Sequence, residues 1–169
     1  MLALSDEDIR ELLPHLQRFA LWLTRDVMAA EDLVQNTLIK ALDGPADRAE
    51  VHNLRTWLFS ILWRQFIDGE RRRKRWQKLL TFFQQEAKTD VGGENSLMAD
   101  ETLALFAHLP AESRALLLLI SVEEMSYREA AEALNIPLGT VMSRLSRARK
   151  QLRKLTEEHA SPVVLRRLK

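Results

Sequence analysis

SYREAAEALNIPLGTVMSRLSRARKQL, Ser126 to Leu152, reads as two helices joined by a short turn. The first, Tyr127–Leu134, carries Ala130, Ala131 and Leu134 on one side, small enough for a second helix to cross closely. Asn135 suits a helix end because it tolerates the left-handed conformation, and Pro137 prevents simple continuation. Gly139-Thr140 is expected to open the next helix, with Thr140 as its N-cap. There Val141, Leu145, Ala148 and Leu152 follow one helical face. At about 3.6 residues per turn, Ser143, Ser146, Arg147 and Lys150 lie opposite, with Arg144 and Arg149 on the flanks. Small polar side chains leave room to approach base edges, while guanidinium groups reach phosphates. A solvated basic surface helix would show the charges alone. The tight turn, small-residue first helix and aligned basic face together predict a DNA-binding helix-turn-helix.

The 169 residues suffice for one domain or two small ones. The formal net charge of +1 hides segregation. Acidic residues gather near the start (Asp6, Glu7, Asp8, Glu11) and in the middle (Glu86, Asp90, Glu94, Asp100, Glu101). Basic residues concentrate in Arg71–Arg75 and from Arg144 to Lys154, which suggests two contacts with one polyanion. The chain has no cysteine, so disulfides and thiolate zinc sites are excluded. No signal-peptide pattern opens it, and the longest apolar run, Leu116–Ile120, is too short to span a bilayer. A soluble, cytoplasmic protein without membrane insertion is expected.

Periodicity is helical nearly throughout, giving an all-α expectation of two small helical domains. Ser5 can cap a first helix with Asp6, Glu7 and Asp8 in its first turn, and Leu16, Phe19, Ala20 and Leu23 form the following apolar stripe. Ala29–Leu42 reads as another helix, stopped by Gly44-Pro45. Its core stripe is Ala30, Val34, Thr37, Leu38 and Ala41, while Asp32, Gln35, Asn36 and Ile39 face away. A long helix runs from about Leu54 into the Arg-rich block. From Thr81 the period is lost and Gly92-Gly93 appear, as in a flexible linker. The expected layout is a first domain over 1–80, a linker over 81–96, a helix-turn-helix domain over 97–156 and an unassigned tail over 157–169.

Most aromatics of Leu54–Phe66, LRTWLFSILWRQF, suit core packing. Trp57 at its start, with Arg71, Arg72 and Lys74 beyond its end, also suits unstacked bases and phosphates. Catalysis finds little support. His15, His52, His108 and His159 are scattered, glycines are too dispersed for a phosphate loop, and adjacent pairs such as Glu31-Asp32 diverge on a helix. No cofactor or metal is implied, and a non-enzymatic role is expected.

AEDLVQNTLIKAL, RTWLFSIL with its Arg-rich continuation, and LPAESRALLLL followed by the helix-turn-helix together resemble a bacterial RNA polymerase sigma factor of the extracytoplasmic-function group. The first two resemble regions 2.2 and 2.3–2.4 of that family, and the last pair resembles region 4. The likeness spans about Leu13 to Leu155. It implies that Asp32 and Gln35, with Asn36 and Ile39 beside them, contact the β′ clamp helices of core polymerase, and that region 4 meets the β flap. It further implies that the Glu50–Leu54 loop, with Asn53 the candidate, captures a flipped base of the promoter −10 element. Melting becomes cheaper when an unstacked base gains a pocket. Trp57, Arg71, Arg72 and Lys74 would act on the same −10 DNA. Thr140, Ser143, Arg144 and Arg147, supported by Arg149 and Lys150, would read the −35 element. A cognate anti-sigma factor is implied by family habit. Where the family often has a basic residue followed by Asn, this chain has Trp63-Arg64. That one-residue displacement turns the charge by about 100° on a helix, so those backbone contacts are not carried over. A helix-turn-helix regulator that binds operators without serving as a sigma subunit remains the alternative reading.

Overall fold

Ser5 starts the first helix through a reciprocal cap. Its Oγ accepts from Asp8 N at 3.1 Å, and Asp8 Oδ2 accepts from Ser5 N at 3.0 Å. In this computed structural model, which describes residues 4–44, 53–83 and 101–158, the helix runs unbroken as α1 (Asp6–Thr24) through Pro14. The acidic start and the Leu16–Leu23 stripe are thus parts of one element. Arg25 ends it in the left-handed region (φ 59°), and Asp26 caps α2 (Val27–Asp43) by accepting from Met28 N at 3.0 Å. α3 (Leu54–Phe83) follows, its first turn capped by Asn53 Oδ1, which accepts from Thr56 N at 3.2 Å.

These three helices share a dry interior. Leu16, Phe19, Ala20 and Leu23 of α1 meet Ala30, Val34 and Ala41 of α2 and Leu58, Phe59, Leu62, Trp63 and Phe66 of α3. Phe19 and Phe59 pack edge to face with centroids 5.0 Å apart, a favoured aromatic arrangement. Thr37, fully buried in α2, donates its hydroxyl to Leu33 O at 2.7 Å and so leaves no orphaned polar group. Trp63 is part of this core and packs on Phe66, while Arg64 faces solvent. The family's basic-Asn position is therefore occupied by a packing residue.

α4 (Glu101–Ala107), α5 (Ala111–Leu117), α6 (Tyr127–Leu134) and α7 (Leu138–Glu158) make the second set. α5 continues into a π-helical turn, Leu118–Val122, in which Leu118 O accepts from Glu123 N at 2.9 Å. Glu124 then takes a left-handed conformation (φ 54°) and swings the chain towards α6. Ser126 and Glu129 cap α6 reciprocally, and Asn135 ends it at φ 52° as expected. Ala133, rather than Ala131, joins Ala130 and Leu134 among the fully buried positions. Thr140 is not the cap of α7. The carbonyl of Pro137 accepts from Thr140 N and Val141 N, so the capping position lies three residues earlier and Thr140 lies inside the first turn.

Among the described residues every regular element is helical, and none is long and apolar enough to cross a membrane. α3 extends through Phe83, three residues into the segment expected to be a linker. The rest of that segment, the Glu50–His52 part of the base-capturing loop and the tail beyond Glu158 lie outside the described residues. The two helical sets are packed together. Trp22 of α1 meets Phe106 of α4 edge to face at 4.8 Å, and α3 lies against α6.

Candidate nucleic-acid interface

The α7 stripe seats the helix by burying Val141, Leu145 and Ala148, which turns Ser143, Ser146, Arg147, Arg149 and Lys150 to solvent. Thr140 is half-buried at the edge of this face. Arg144 is held differently from its neighbours, because its guanidinium pairs with Glu112 of α5 and braces α7 against the helix beneath it. A groove of about 250 Å³ between α6 and α7 is lined by Tyr127, Ser146, Arg149, Lys150 and Arg153. Two hydroxyls and three cations around one groove suit a backbone phosphate. Arg147 stands outside that lining, on the exposed face.

Asp32, Gln35, Asn36 and Ile39 all lie exposed on one side of α2, with Ile39 54% exposed amid polar groups. On α3, Trp57 is half-buried, whereas Arg71, Arg72 and Lys74 are exposed along a part of the helix that no core residue anchors. Trp76, Leu79, Leu80, Phe82 and Phe83 continue that part, also exposed, so aromatic groups do stand beside the basic block. The sequence reading of RRRKRWQK takes in Trp76 but names no site residue beyond Lys74, and it does not reach Leu79, Leu80, Phe82 and Phe83, although KLLTFF carries the signal.

Asn53 is fully engaged. Its Oδ1 caps α3, and its Nδ2 donates to Glu129 Oε2 of α6 at 3.1 Å. The −10 candidate thus touches the helix-turn-helix. Beside it lies an ion cluster that sequence reasoning did not find. Glu123, whose side chain is 1% exposed, follows the π turn and enters between α1 and α3. Arg18 donates to its Oε1 from Nη2 at 2.7 Å and from Nε at 3.1 Å. Arg55 Nη2 donates at 2.6 Å both to Oε2 and to the Glu123 carbonyl. His15 Nδ1 is 2.8 Å from Oε2, and because an ionised carboxylate only accepts, the shared proton sits on the ring. Burial pushes the Glu123 carboxyl up, but hydrogen bonds from Arg18 and Arg55, the Arg18 charge and the His15 bond together hold it below its usual value. Arg114 of α5, also buried, donates to Leu109 O at 2.6 Å and across to Leu23 O at the end of α1 at 3.0 Å. Desolvation lowers its pKa to about 10, helped by nearby Arg25, and leaves it charged at neutral pH.

Comparison with known proteins fits this arrangement. The profile for sigma-70 region 2 matches residues 9–77, and that for sigma-70 region 4 matches residues 99–152. The chain is 33% identical over 147 residues to the ECF RNA polymerase sigma factor EcfG of Rhodopseudomonas palustris, covering 86% of this chain and 81% of that protein. It is 34% identical over 148 residues to ECF sigma factor SigL of Mycobacterium tuberculosis, covering 85% and 83%. The fold superimposes with a TM-score of 0.73 on sigma factor RpoE of Bartonella quintana, solved with the anti-sigma factor NepR, at 33% identity over 89% of this chain and 95% of that one. It also matches CnrH, solved with the cytosolic domain of CnrY, with a TM-score of 0.66 at 22% identity, covering 90% and 86%, a likeness of fold alone. Two helical units carrying a helix-turn-helix and separate exposed faces define a transcription initiation factor of the sigma-70 type. Within it, the chain belongs to the extracytoplasmic-function sigma factors.

Proposed function

We propose that this protein is a cytoplasmic promoter-specificity subunit of RNA polymerase with no enzymatic activity of its own. The α2 face of Asp32, Gln35, Asn36 and Ile39 docks on the β′ clamp helices, and the helix-turn-helix unit meets the β flap. The exposed α7 face reads the −35 element, with Ser143 and Arg147 at the base edges. Arg149 and Lys150 hold phosphates, and Arg144 acts through its brace to Glu112. Asn53 and Trp57 serve the −10 element, where Arg71, Arg72 and Lys74 track the opened strands. An anti-sigma factor restrains it, as the solved complexes of its relatives suggest. The observation that carries this reading is the presence on one chain of an exposed polar α2 face and a basic recognition helix, each turned away from the core.

Footprinting tests it. Free protein should leave promoter duplex unprotected at physiological salt. With core polymerase added, both elements should be protected and bases near −10 should react with single-strand probes. Docking two weak modules on one scaffold raises their joint affinity by roughly 10²–10⁴. Tight operator-like binding without core, and without strand opening, would overturn the proposal in favour of an ordinary helix-turn-helix regulator.

A further inference from the structure

α7 carries an apolar group where its polar outer face calls for none. Met142 is 54% exposed, and Leu138, one turn earlier on the same side, is 40% exposed. One exposed methionine is ordinary on a protein surface. The surroundings of this one are not. Met142 lines the groove between α6 and α7 together with Tyr127, Ser146 and the buried Leu145, and Arg149, Lys150 and Arg153 continue the lining along α7. These α7 residues share one side of the helix, being three or four positions apart. Apolar surface thus stands at the end of the groove nearest the start of α7, and positive charge at the other. Met142 and Arg153 lie roughly 16 Å apart along the axis.

The neighbours of Met142 leave it to reach outwards. Gly139 presents no side chain, and a Cβ built there meets nothing within 4 Å, so internal packing does not require glycine. Glycine inside a helix is less stable than alanine, and its effect here is to clear room for a molecule outside the protein. Ser143 turns its hydroxyl back onto the Thr140 carbonyl at 3.2 Å, and Arg144 is held by Glu112. Met142 therefore extends beyond the short polar groups beside it. Residues near the N-terminal end of a recognition helix are those that meet base edges. In the major groove of DNA the apolar group on a base edge is the C5-methyl of thymine, and every nucleotide adds an anionic phosphate. The flexible, polarizable thioether of methionine adapts to such a small apolar group.

We propose that Met142, flanked by Tyr127, reads the C5-methyl of one thymine in the −35 element, with Arg149 and Lys150 on neighbouring phosphates. The inference rests on the assignment of α7 to the −35 element given above, and adds an apolar contact beside Ser143 and Arg147. Loss of one buried methyl group from the contact lowers affinity roughly fourfold. The same contact accepts the C5-methyl of 5-methylcytosine, so a cytosine at that position is bound better once methylated.

In the test, full-length protein with core polymerase selects −35 sequences from a randomised promoter library. Each thymine of the selected element is then replaced singly by uracil, which pairs identically and lacks only the methyl. Promoter binding by the assembled polymerase should fall roughly fourfold at one thymine and little at the others. In Met142→Ala that difference should vanish, while Met142→Leu, which keeps an apolar side chain, should retain part of it. Cytosine at the same position should bind more weakly than 5-methylcytosine with wild type, and equally with Met142→Ala. Met142 is exposed, so neither substitution removes a core contact. Uracil tolerated at every thymine, a selected element without thymine, or an unchanged methyl dependence in Met142→Ala would each overturn the contact while leaving α7 as the −35 reader. A library from which no −35 preference emerges would overturn that reader, and the contact with it.

Discussion

Glu123 and Arg114 bracket the apolar run that fills the second core, and both turn inward. Neither role was legible in the sequence, because the partners that make their burial tolerable lie far away in the chain. His15 is 108 residues from Glu123, and the Leu23 carbonyl is 91 residues from Arg114. A charged residue at the edge of an apolar run reads as the place where the chain returns to water, and only tertiary structure shows otherwise. Local chemistry was readable. Ser5 and Asn135 do what their side chains predispose them to do, while Thr140 lost the capping position because Pro137 can start a helix with only its carbonyl. The helical period of α7 already sets Arg147 on the outer face and Arg149 on a flank, and the structure adds that Arg149 lines a groove with Tyr127 while Arg147 does not. Arg147→Ala, at the open outer face, should cost roughly 1–3 kcal/mol of discrimination at one −35 position and relax sequence preference there. Arg149→Ala, in the groove beside Tyr127, should weaken binding by a similar factor on every −35 variant. Affinity measured across a set of single-base −35 variants separates the two, and parallel losses for both substitutions would void the distinction.

α2 and α3 show how an element can be readable in extent yet ambiguous in purpose. The 3.6-residue period of α2 gave four of its five stripe positions as buried, Leu38 being only partly covered, and what remained was a polar face with an exposed Ile. Replacing Asp32 and Gln35 together with Ala should therefore leave helix content and melting near wild type, since exposed polar substitutions seldom change stability by more than about 0.5 kcal/mol. Binding to core polymerase, measured by fluorescence anisotropy, should fall clearly, and a double variant that binds core normally would remove this face from the interface. In α3 the length exceeds what its core contacts need. Beyond Phe66 the helix is held chiefly by its own backbone and by pairs such as Arg73–Glu70. Gly69 lies within that run, exposed, and a Cβ built there meets nothing within 4 Å. Gly69→Ala should therefore stabilise the helix by about 0.5–1 kcal/mol. A rise in Tm of about 1–4 °C is expected at this chain length if melting is one cooperative step. An unchanged Tm with increased helical circular dichroism would mean that this part of α3 frays independently of the rest.

Packing of the two helical units onto each other is the property furthest from sequence. Segregated charge and a glycine-containing connection predicted two modules whose geometry stays open until a scaffold fixes it. The described residues instead close on a buried carboxylate, and closure makes the arrangement depend on proton concentration. Glu123 is desolvated, which favours the neutral form. Donors from Arg18 and Arg55, with His15 at the third corner, more than offset this and hold its pKa below the ordinary 4.5. A carboxyl whose pKa is lowered in the packed state binds protons more readily once released. It therefore stabilises packing fully above its released value and loses that contribution as pH falls through its packed one. The distance between spin labels placed at Gln17→Cys on α1 and Gln151→Cys on α7, both exposed in a chain without cysteine and read by pulsed electron resonance, should accordingly stay short and constant from about pH 7 down to about pH 5.5. Below the ordinary 4.5 it should lengthen. Glu123→Gln has no carboxyl to protonate at this site, so its distance distribution, already shifted, should change far less over the same interval. Arg18 and Arg55 remain beside it, which makes the comparison specific to the carboxylate rather than to general acid unfolding. If wild type and Glu123→Gln follow the same acid curve, some other group governs the opening and Glu123 is only a buried pair.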